Sequence, residues 1–274
     1  LIKVLNEITK NIQNINNFRF SCVIVNDCST IKRPKITKPK ILNTLKIINM
    51  KKNKGHARCN AFGLKYINLN EVFDYIIVMD SDGEDRPVEI KSLISKIDEE
   101  PEVSVVAKRI KRSEGLIFQA LYQIHKLISF IFTGKKSNFG NYSCLTKKDV
   151  QKLSVKASLW SSFSGSVKQH ITTLNEVKSE RGLRYYGPSK MSLFNLLIHS
   201  FSIMAVFKYM VVLRSTFMIV ALSFLTKYIG TTAIFIQILI IFFNLLIFIV
   251  SFRESANALG KSDENILSKD EITH

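Results

Sequence analysis

The sequence predicts an α/β fold with a largely parallel sheet, followed by a pair of membrane helices. Two observations lead to this fold class. In the first two-thirds of the chain, short runs of apolar, β-branched residues alternate with amphipathic segments, which is the pattern of repeated βα units. In the last third, Thr231 to Phe252 contains no charged residue, and it is long enough to cross a hydrocarbon core of about 30 Å as a helix.

The alternating region divides into predicted strands and helices. The predicted strands are the apolar runs 20–25, 45–50, 74–80 and 103–108. The predicted helices carry apolar residues at helical spacing and cover 1–14, 56–68, 87–99, 114–133 and 147–153. Because ligands of such sheets bind at the carboxyl ends of the strands, the polar segments "NDCST" and "DSDGED" are the candidate site.

The apolar third of the chain predicts a transmembrane hairpin over 209–252. Its first segment, 209–226, is interrupted only by Arg214, which lies near one end and is placed to reach the lipid headgroups. The connecting "KYIG" is long enough only for a turn. The alternative is a helix pair buried in a soluble core, but neither segment shows an amphipathic face.

Two further segments flank the hairpin. Residues 191–208 have a broad apolar face with Ser, Asn and His opposite, and they predict a helix that lies in the membrane interface. Residues 253–274 predict a polar, mobile tail. Residues 1–190 would then form the catalytic domain.

The chain is strongly basic, with a net charge of +17 and a pI of about 9.7. An anionic partner explains this charge, whether nucleic acid, phosphorylated substrate or membrane surface. Compositional drift in a Lys-, Ile- and Asn-rich sequence also explains it. The four cysteines form no C-x-x-C pair and predict reduced thiols of a cytosolic domain.

Basic residues are concentrated on one side of the predicted hairpin. By the positive-inside rule, this asymmetry predicts an inner- or plasma-membrane protein whose catalytic domain and two termini are cytoplasmic. Lys227 alone occupies the turn, whereas the flanking basic residues are Arg181, Arg184, Lys190, Lys208, Arg214, Arg253 and Lys261.

Four carboxylates follow the apolar run in "YIIVMDSDGEDRP": Asp80, Asp82, Glu84 and Asp85. One interpretation is structural, because Asp85 suits a helix N-cap and Pro87 suits a first turn. The other is a divalent cation, since Mg²⁺ is usually bound by one or two carboxylates together with substrate phosphates. Alternate residues of an extended chain point to the same side, so Asp80 and Asp82 are suited to share one ligand.

The motifs in order are "VIVNDCST", "NKGHARCNAFGL", "VMDSDGEDRP", "VVAKRIKRSEG", "FGNYSCLTKKDV" and "RYYGPSK". This series resembles the family-2 glycosyltransferases of GT-A fold over nearly the whole chain. The branch that it resembles most contains dolichol-phosphate-mannose synthase and bacterial polyprenyl-phosphate sugar transferases, which end in a juxtamembrane helix and membrane helices. The resemblance implies a GT-A-like domain, a nucleotide-sugar donor and Mg²⁺ or Mn²⁺ as cofactor.

The resemblance also implies roles for individual residues. Asp27 would contact the base or ribose of the nucleotide sugar, with Gly55 and Arg58 nearby. Asp80 and Asp82 would hold the diphosphate through the metal, and Glu84 would complete the metal shell. The expected catalytic residues are Asp82, Glu84, Asp85 and Arg109, and the expected phosphate- and acceptor-binding residues are Arg109, Arg112, Asn141, Arg184, Ser189 and Lys190.

Simpler roles remain open for several of these residues. Asp27 would equally cap a turn, and Arg58 would equally be a surface residue of a helix. Arg109 and Arg112 would equally form a solvated charge run. Arg184 and Lys190 would equally bind anionic headgroups.

The sequence departs from the family pattern in two places. The family opens with a buried strand before the first helix, whereas this sequence begins at that helix, so we expect a fragment and a gap between the strands ending at Asp27 and Asp80. Asn141 stands where related enzymes often have an acid. A hydroxyl acceptor benefits from a general base, but a phosphate monoester is already largely a dianion at neutral pH. Asn141 therefore favours a lipid phosphate acceptor, unless Asp85 or Glu84 serves as the base.

The sequence thus predicts a membrane-anchored, inverting, metal-dependent glycosyltransferase. It would transfer a hexose from a nucleotide sugar to polyprenyl phosphate, either undecaprenyl or dolichyl phosphate, among membrane lipids. One alternative is a glycosyltransferase acting on a hydroxyl of a polysaccharide, lipid or protein, and another is a non-catalytic membrane-tethered scaffold. Nucleic-acid binding would explain the charge but neither the hairpin nor the acids. Formation of a homo-oligomer is left open.

Overall fold

The computed structural model describes residues 1–31, 34–111, 116–136, 138–187 and 192–273. The strands are β1 Phe20–Asn26, β2 Leu42–Met50, β3 Tyr75–Val78, β4 Val105–Lys111, β5 Phe139–Thr146, β6 Asn175–Glu180 and β7 Ile266–Glu271. The helices are α1 Ile2–Ile12, α2 His56–Asn70, α3 Ile90–Glu99, α4 Leu116–Thr133, α5 Lys147–Leu153, α6 Ala157–Ser161, α7 Phe163–His170, α8 Leu193–Ala205, α9 Lys208–Ile229, α10 Thr231–Ser251 and α11 Ala256–Gly260. Short 3₁₀ turns cover Pro87–Glu89 and Lys261–Asn265.

The strands form two sheets, with orders β1-β2-β7 and β3-β5-β4-β6. Strands β1 and β3 are each the end strand of a different sheet, and within the described ranges no ladder joins them. The expected separation between the strands that lead to Asp27 and Asp80 is therefore observed. All four strands and five helices expected in the first two-thirds of the chain are present.

The α/β class is confirmed, but the expectation of a largely parallel sheet is wrong. Only the pairs β1–β2 and β4–β6 are parallel, whereas β2–β7, β3–β5 and β4–β5 are antiparallel. The reason is that β5 inserts between β3 and β4 in the opposite direction. Its sequence, "FGNYSCLT", has a glycine and an asparagine after the first residue, and these weaken the strand pattern.

Helices cover both faces of the sheets. On one face, α1 and α3 pack against β1 to β5 through a core that includes Ile12, Leu93 and Val105, each at most 1% exposed. On the other face, α2, α5, α6 and α7 pack around Leu64, Leu145 and Phe163 in a second core. This three-layer arrangement fixes the ends of β1 and β3, where the polar loops begin.

Helices α9 and α10 pack against each other and are long and apolar enough to cross a membrane. Only 11% and 17% of their most apolar windows are buried, which is low for core helices of a soluble protein. The polar residues of α10 face α9: Gln237 donates to Ser223 Oγ at 2.9 Å, and Asn244 donates to Ser215 Oγ at 2.7 Å. The amide N–H groups of both side chains are thus satisfied between the helices, while Asn244 Oδ1 is buried without a partner among the described residues.

Arg214, which the sequence placed near the lipid headgroups, binds the end of α4. Its Nη1 donates to the carbonyl of Ile131 at 3.3 Å. The guanidinium also covers Gly134, where an added Cβ would lie 2.5 Å from Arg214 Nη2. A cation at the last carbonyls of a helix is favourable, because these groups carry partial negative charge.

The C-terminal segment is ordered, which corrects the expectation of a mobile tail. Helix α11 packs against α6, and β7 adds to the edge of β2 in antiparallel register. Lys65 ties the two regions together, with its Nζ 2.5 Å from Asp263 Oδ2. The alternating burial of β7 is typical of an edge strand, whose polar "ILSKDE" sequence resembles a solvated tail.

Candidate active site

The acidic loop, residues 80–85, follows β3 and contains one position whose backbone conformation favours glycine. Gly83 has a φ of +95°, and a Cβ there would lie 2.8 Å from the ring of Tyr185. The segment 181–185 is hydrogen-bonded along this loop: Gly182 N donates to Glu84 O and Tyr185 N donates to Asp82 O, both at 2.9 Å. The acidic loop is therefore held by the segment that leads toward the apolar helices.

Two arginines of that segment bind the acids. Arg184 Nη2 lies 3.1 Å from Asp82 Oδ2, and Arg184 Nε lies 2.8 Å from Glu84 Oε1. Arg181 also forms an ion pair with Glu84. Burial alone would raise the pKa of Glu84, but hydrogen bonds from Arg184 and Arg181 outweigh it and hold this pKa below its ordinary value.

A second group of side chains surrounds Asp80. Asn141 Nδ2 approaches Asp80 Oδ1 at 3.4 Å, and the amide of Asp80 donates to Asp85 Oδ2 at 2.9 Å. Arg109 Nη2 lies 3.6 Å from Asp85 Oδ1 and packs on Gly140, where a Cβ would lie 2.8 Å from it. Asn141 is thus a neutral neighbour of Asp80. A carboxylate in its place would be repelled strongly by the carboxylate of Asp80.

Asp85 is a buried carboxyl that holds its proton into the neutral range. It is 4% exposed, and burial followed by the charge of Asp80 raises its pKa to about 7, although the nearby Arg109 opposes this shift. A carboxyl with such a pKa exchanges protons readily at neutral pH. The helix-cap interpretation of Asp85 is not what the structure shows, because its oxygen accepts from Asp80 rather than from the turn at 87–89.

The residues after β1 form a separate group. Asp27 accepts from the amides of Lys54 at 2.8 Å and Gly55 at 2.7 Å, so it fixes the loop before α2. Gly55 has a φ of +89° and directly precedes that helix. Arg58 donates to the carbonyl of Lys54 at 3.0 Å, and its guanidinium lies 5.7 Å from the centroid of the Trp160 ring.

The structure brings together most of the expected site residues, but not all of them. One group is formed by Asp80, Asp82, Glu84, Asp85, Arg109, Asn141 and Arg184. Asp27, Gly55 and Arg58 form the other, and no hydrogen bond or ion pair joins the two groups within the described ranges. Arg112, Ser189 and Lys190 lie outside the described residues.

The metal ligands expected from the sequence are only partly arranged for that role. No cluster of three or more His, Cys, Asp or Glu side chains suited to a metal occurs in the part of the chain that the structure describes. Both carboxylate oxygens of Glu84 are engaged by arginines, which places Glu84 in an ion-pair network. Asp80 Oδ2 accepts no hydrogen bond from any described residue, so Asp80 keeps an oxygen for a ligand.

Sequence reasoning missed Arg181 and Tyr185 as site residues. The available signal was the segment "RGLRYYG", in which two arginines flank a glycine. A Cβ at Gly182 would lie 2.5 Å from the carbonyl oxygen of Gly83, so this glycine permits the contact between the two loops.

The comparison with family models identifies a family for this chain. The model described as Glycosyl transferase family 2 matches residues 2–153. This range, which is more than half of the chain, contains Asp27, Arg58, the acidic loop, Arg109 and Asn141, whereas Arg181 and Arg184 follow it. No curated protein matches the chain.

Proposed function

The chain belongs to glycosyl transferase family 2 and is a glycosyltransferase, and we propose that it transfers a hexose from a nucleotide sugar to polyprenyl phosphate at a membrane surface. The observation that carries this proposal is the position of Arg184. This side chain contacts Asp82 and Glu84 and belongs to the segment that precedes α8 and the apolar pair α9–α10. The acidic site and the apolar helices are thus coupled through one short stretch of chain.

Asp80 and Asp82 are the residues that would hold a divalent cation in this proposal. They supply two carboxylates after a strand, and a substrate diphosphate would complete the coordination, as is usual for Mg²⁺. The free Oδ2 of Asp80 supports the fit, while Asp82 would exchange part of its contact with Arg184 for the metal. A bound Mg²⁺ or Mn²⁺ would supply charge neutralisation for the departing diphosphate. Ligation by Glu84 would require that Arg181 or Arg184 move away.

The remaining residues have roles that follow from their contacts. An oxygen of the acceptor phosphate attacks the anomeric carbon as the bond from that carbon to the diphosphate breaks, which inverts the anomeric configuration. Arg109 and Arg184 stabilise the negative charge that the nucleoside diphosphate carries away. Asn141 donates a hydrogen bond to Asp80 and holds its carboxylate in place. The acceptor needs no general base, because a phosphate monoester is already deprotonated at neutral pH.

The structure also supports a hairpin with both ends on one side of the membrane. After α10 the chain returns to the catalytic domain, where β7 pairs with β2. The ends of α9 and α10 opposite their connecting turn are therefore both close to the catalytic domain. With basic residues concentrated at these ends, the proposed location of the domain is the cytoplasmic face of an inner or plasma membrane.

Helix α8 would lie in the interface in this arrangement. Phe194 and Leu197, in its first half, are 70% and 55% exposed, whereas Met204 and Ala205 at its end are buried. An exposed apolar half next to α9 and α10 is suited to the headgroup boundary.

One observation favours a hydroxyl acceptor as the second candidate. The pKa of Asp85, raised to about 7 by burial and by Asp80, suits a general base that removes a hydroxyl proton. A polysaccharide, lipid or protein hydroxyl is then the alternative acceptor.

The two candidates are separated by an assay of full-length protein purified in detergent. Uridine and guanosine diphosphate sugars, labelled in the hexose, are incubated with Mn²⁺ or Mg²⁺ and with either polyprenyl phosphate or the corresponding polyprenol. The proposal expects label in the organic extract only with polyprenyl phosphate, and loss of this label in Asp82→Asn but not in Asp98→Asn, an exposed carboxylate of α3. Transfer to polyprenol, or to no lipid at all, contradicts it.

A further inference from the structure

A cluster of basic side chains lies between the catalytic domain and the apolar helices. It consists of His56, Arg58, His199 and Arg253, and it includes a pair of histidine rings. His199 of α8 and His56, the first residue of α2, have ring centroids 5.3 Å apart. His199 therefore packs against the catalytic domain, while the first half of its own helix exposes apolar residues.

The titratable groups that affect the pKa of His199 are all basic. They come from four different parts of the chain and are His56, His125, Arg109 and Arg253. Burial, and then the nearby basic groups, lower the pKa of His199 to about 4. Basic groups gathered from α2, α4, β4 and the end of α10 make this region attractive to an anion.

Two arginines of the cluster, Arg58 and Arg253, influence each other electrostatically. Burial lowers the pKa of Arg58, and the charge of Arg253 lowers it further. The Nε of Arg253 is buried and has no hydrogen-bond partner among the described residues. A buried guanidinium N–H without a partner is uncommon, and this one is a donor that a bound anion would satisfy.

The N-terminus of α2 points to the same kind of ligand. This helix of 15 residues begins at His56 without a side-chain cap and with no acidic residue in its first turn. Its free amides, together with the positive end of the helix dipole, add to the attraction of His56 and Arg58 for an anion.

Two carboxylates are close to the cluster, and both already have partners. The charge of Asp27 raises the pKa of Arg58, but the Asp27 carboxylate already accepts hydrogen bonds from the amides of Lys54 and Gly55. Glu254, which follows Arg253, pairs through its Oε2 with Lys208 at 3.0 Å, while its Oε1 is buried without a hydrogen-bond partner among the described residues. These carboxylates therefore leave the Nε of Arg253 and the two histidine rings available to a ligand.

We propose that the basic cluster, defined as His56, Arg58, His199 and Arg253, binds the phosphate monoester of the lipid acceptor. This inference rests on the proposed function, because it assigns the site that receives polyprenyl phosphate. Arg253 follows α10 directly and His199 belongs to the interfacial helix, so the cluster lies where a lipid phosphate emerges from the membrane. Arg109, whose charge contributes to the lowered pKa of His199, forms an ion pair with Asp85 at 3.6 Å and so connects the cluster to the acidic site.

The single tryptophan of the chain reports on this cluster directly. Trp160 is the only tryptophan, and the Arg58 guanidinium lies 5.7 Å from its ring centroid. Full-length protein in detergent is titrated with farnesyl phosphate, farnesol or inorganic phosphate while tryptophan fluorescence is recorded. We expect a saturable change with farnesyl phosphate, much weaker binding of inorganic phosphate, and no saturable change with farnesol.

Variants then test the assignment to individual residues. His199→Gln and Arg253→Gln are expected to weaken the binding of farnesyl phosphate at least tenfold, whereas Lys261→Gln, which removes one exposed charge outside the cluster, changes it less than twofold. Unchanged binding in both cluster variants overturns the proposal, and so does equal binding of farnesol. If inorganic phosphate binds as tightly as farnesyl phosphate, the site takes a free anion and the lipid assignment is wrong.

A separate measurement distinguishes this inference from the proposed function. Calorimetric binding of UDP or GDP with Mn²⁺ is measured for each variant, and unchanged nucleotide binding shows that the variant is folded. If wild-type protein transfers no sugar to polyprenyl phosphate but still shows the expected fluorescence pattern, the proposed function fails and the cluster assignment stands. If transfer occurs and the two cluster variants bind farnesyl phosphate normally, the cluster assignment alone fails.

Discussion

Arg184 and Glu84 are joined by a hydrogen bond of 2.8 Å, although 100 positions separate them in the sequence. Nη2 of the same guanidinium lies 3.1 Å from Asp82 Oδ2, so the side chain of Arg184 positions two carboxylates. The acidic loop is therefore not independent of the chain that leads into the apolar helices.

Replacing Arg184 by Lys tests this relationship. An ammonium keeps the charge but cannot bind two carboxylates with the planar geometry of a guanidinium. We expect the rate of sugar transfer to fall roughly 10- to 1000-fold, as when a donor that stabilises a developing anion is removed. Steady-state rates measured at saturating donor give the comparison, with the exposed Lys178→Gln as the control. A rate within twofold of wild type shows that Arg184 only contributes surface charge.

Gly83→Ala is expected to destabilise the protein through two separate effects. The φ of +95° is unfavourable for alanine, and the new Cβ would lie 2.8 Å from Tyr185. Gly187→Ala is a matched control, because Gly187 has a φ of +66° but has no atom near its Cβ position. We expect thermal unfolding to occur several degrees lower in Gly83→Ala than in Gly187→Ala. Equal melting temperatures would falsify the close packing of Tyr185 on the acidic loop.

The double variant Gly83→Ala/Tyr185→Ala separates the two effects further. Removing the ring relieves the clash but leaves the backbone strain, so part of the lost stability should return. Non-additivity of the two substitutions is the expected signature of residues in contact.

Asn141→Asp tests the identity of the acceptor. If the acceptor is a lipid phosphate, no base is required, and the rate of transfer should stay within a few-fold of wild type when the divalent cation is saturating. The added carboxylate faces Asp80, so a higher affinity for the cation is expected at the same time. A large gain in rate would instead indicate a hydroxyl acceptor that profits from a new base.

Lys168 gives a prediction for the pH dependence of stability. Its Nζ is buried without a hydrogen-bond partner among the described residues and lies 4.5 Å from the centroid of the Phe139 ring. Burial lowers its pKa from 10.5 to about 8, so the unfolded chain holds the proton more tightly than the folded protein between these pH values. The free energy of unfolding should therefore rise as the pH increases through this window. Below about pH 8, the destabilisation caused by burying the charged ammonium is fully present.

Lys168→Met removes the buried ammonium and should flatten this rise. At pH 7 the variant is expected to be more stable by up to about 3 kcal/mol, the free energy that corresponds to lowering a lysine pKa from 10.5 to about 8. The exposed Lys152→Met serves as the control, and thermal unfolding between pH 7 and pH 10 provides the measurement. A wild-type protein whose stability falls over this range, with no change on substitution, contradicts the prediction.

Truncation after Asn265 tests the role of the ordered C-terminal strand. It removes β7 and leaves Asn49 without Ser268 Oγ and Asp270 Oδ2, to which its amide donates at 2.8 Å and 3.1 Å. Asn49 in turn accepts from Asn26, next to Asp27, so we expect both a lower melting temperature and weaker nucleotide binding. A chain that ends after Ile272 keeps the strand and should behave as wild type. Normal nucleotide affinity in the shorter chain would limit β7 to a structural role.

The sequence predicts the elements whose pattern is regular and misses those whose pattern is mixed. The strands 20–26 and 75–78 are apolar and β-branched, and they were expected within about two residues. By contrast, β5 contains Gly140 and Asn141, and β7 alternates exposed polar residues with partly buried ones, so neither showed a clear strand pattern.

The candidate site was predictable as a set of residues but not as a network. Asp80, Asp82 and Asn141 were expected near one another, and the structure places Asn141 3.4 Å from Asp80. The engagement of Glu84 by Arg181 and Arg184 depends on a contact between distant loops, which the linear pattern does not encode. The pairing of His56 with His199 has the same origin, since α2 and α8 meet only in the folded chain.

Mass spectrometry of the lipid product tests the central claim most directly. Full-length protein is incubated with polyprenyl phosphate, Mn²⁺ and a panel of nucleotide sugars, and the organic phase is analysed for new lipids. The account predicts a polyprenyl phosphate that carries one hexose through a phosphodiester, formed by wild-type protein and strongly reduced in Asp82→Asn. A hexose attached to a hydroxyl acceptor, or no sugar-bearing lipid with any donor, would contradict it.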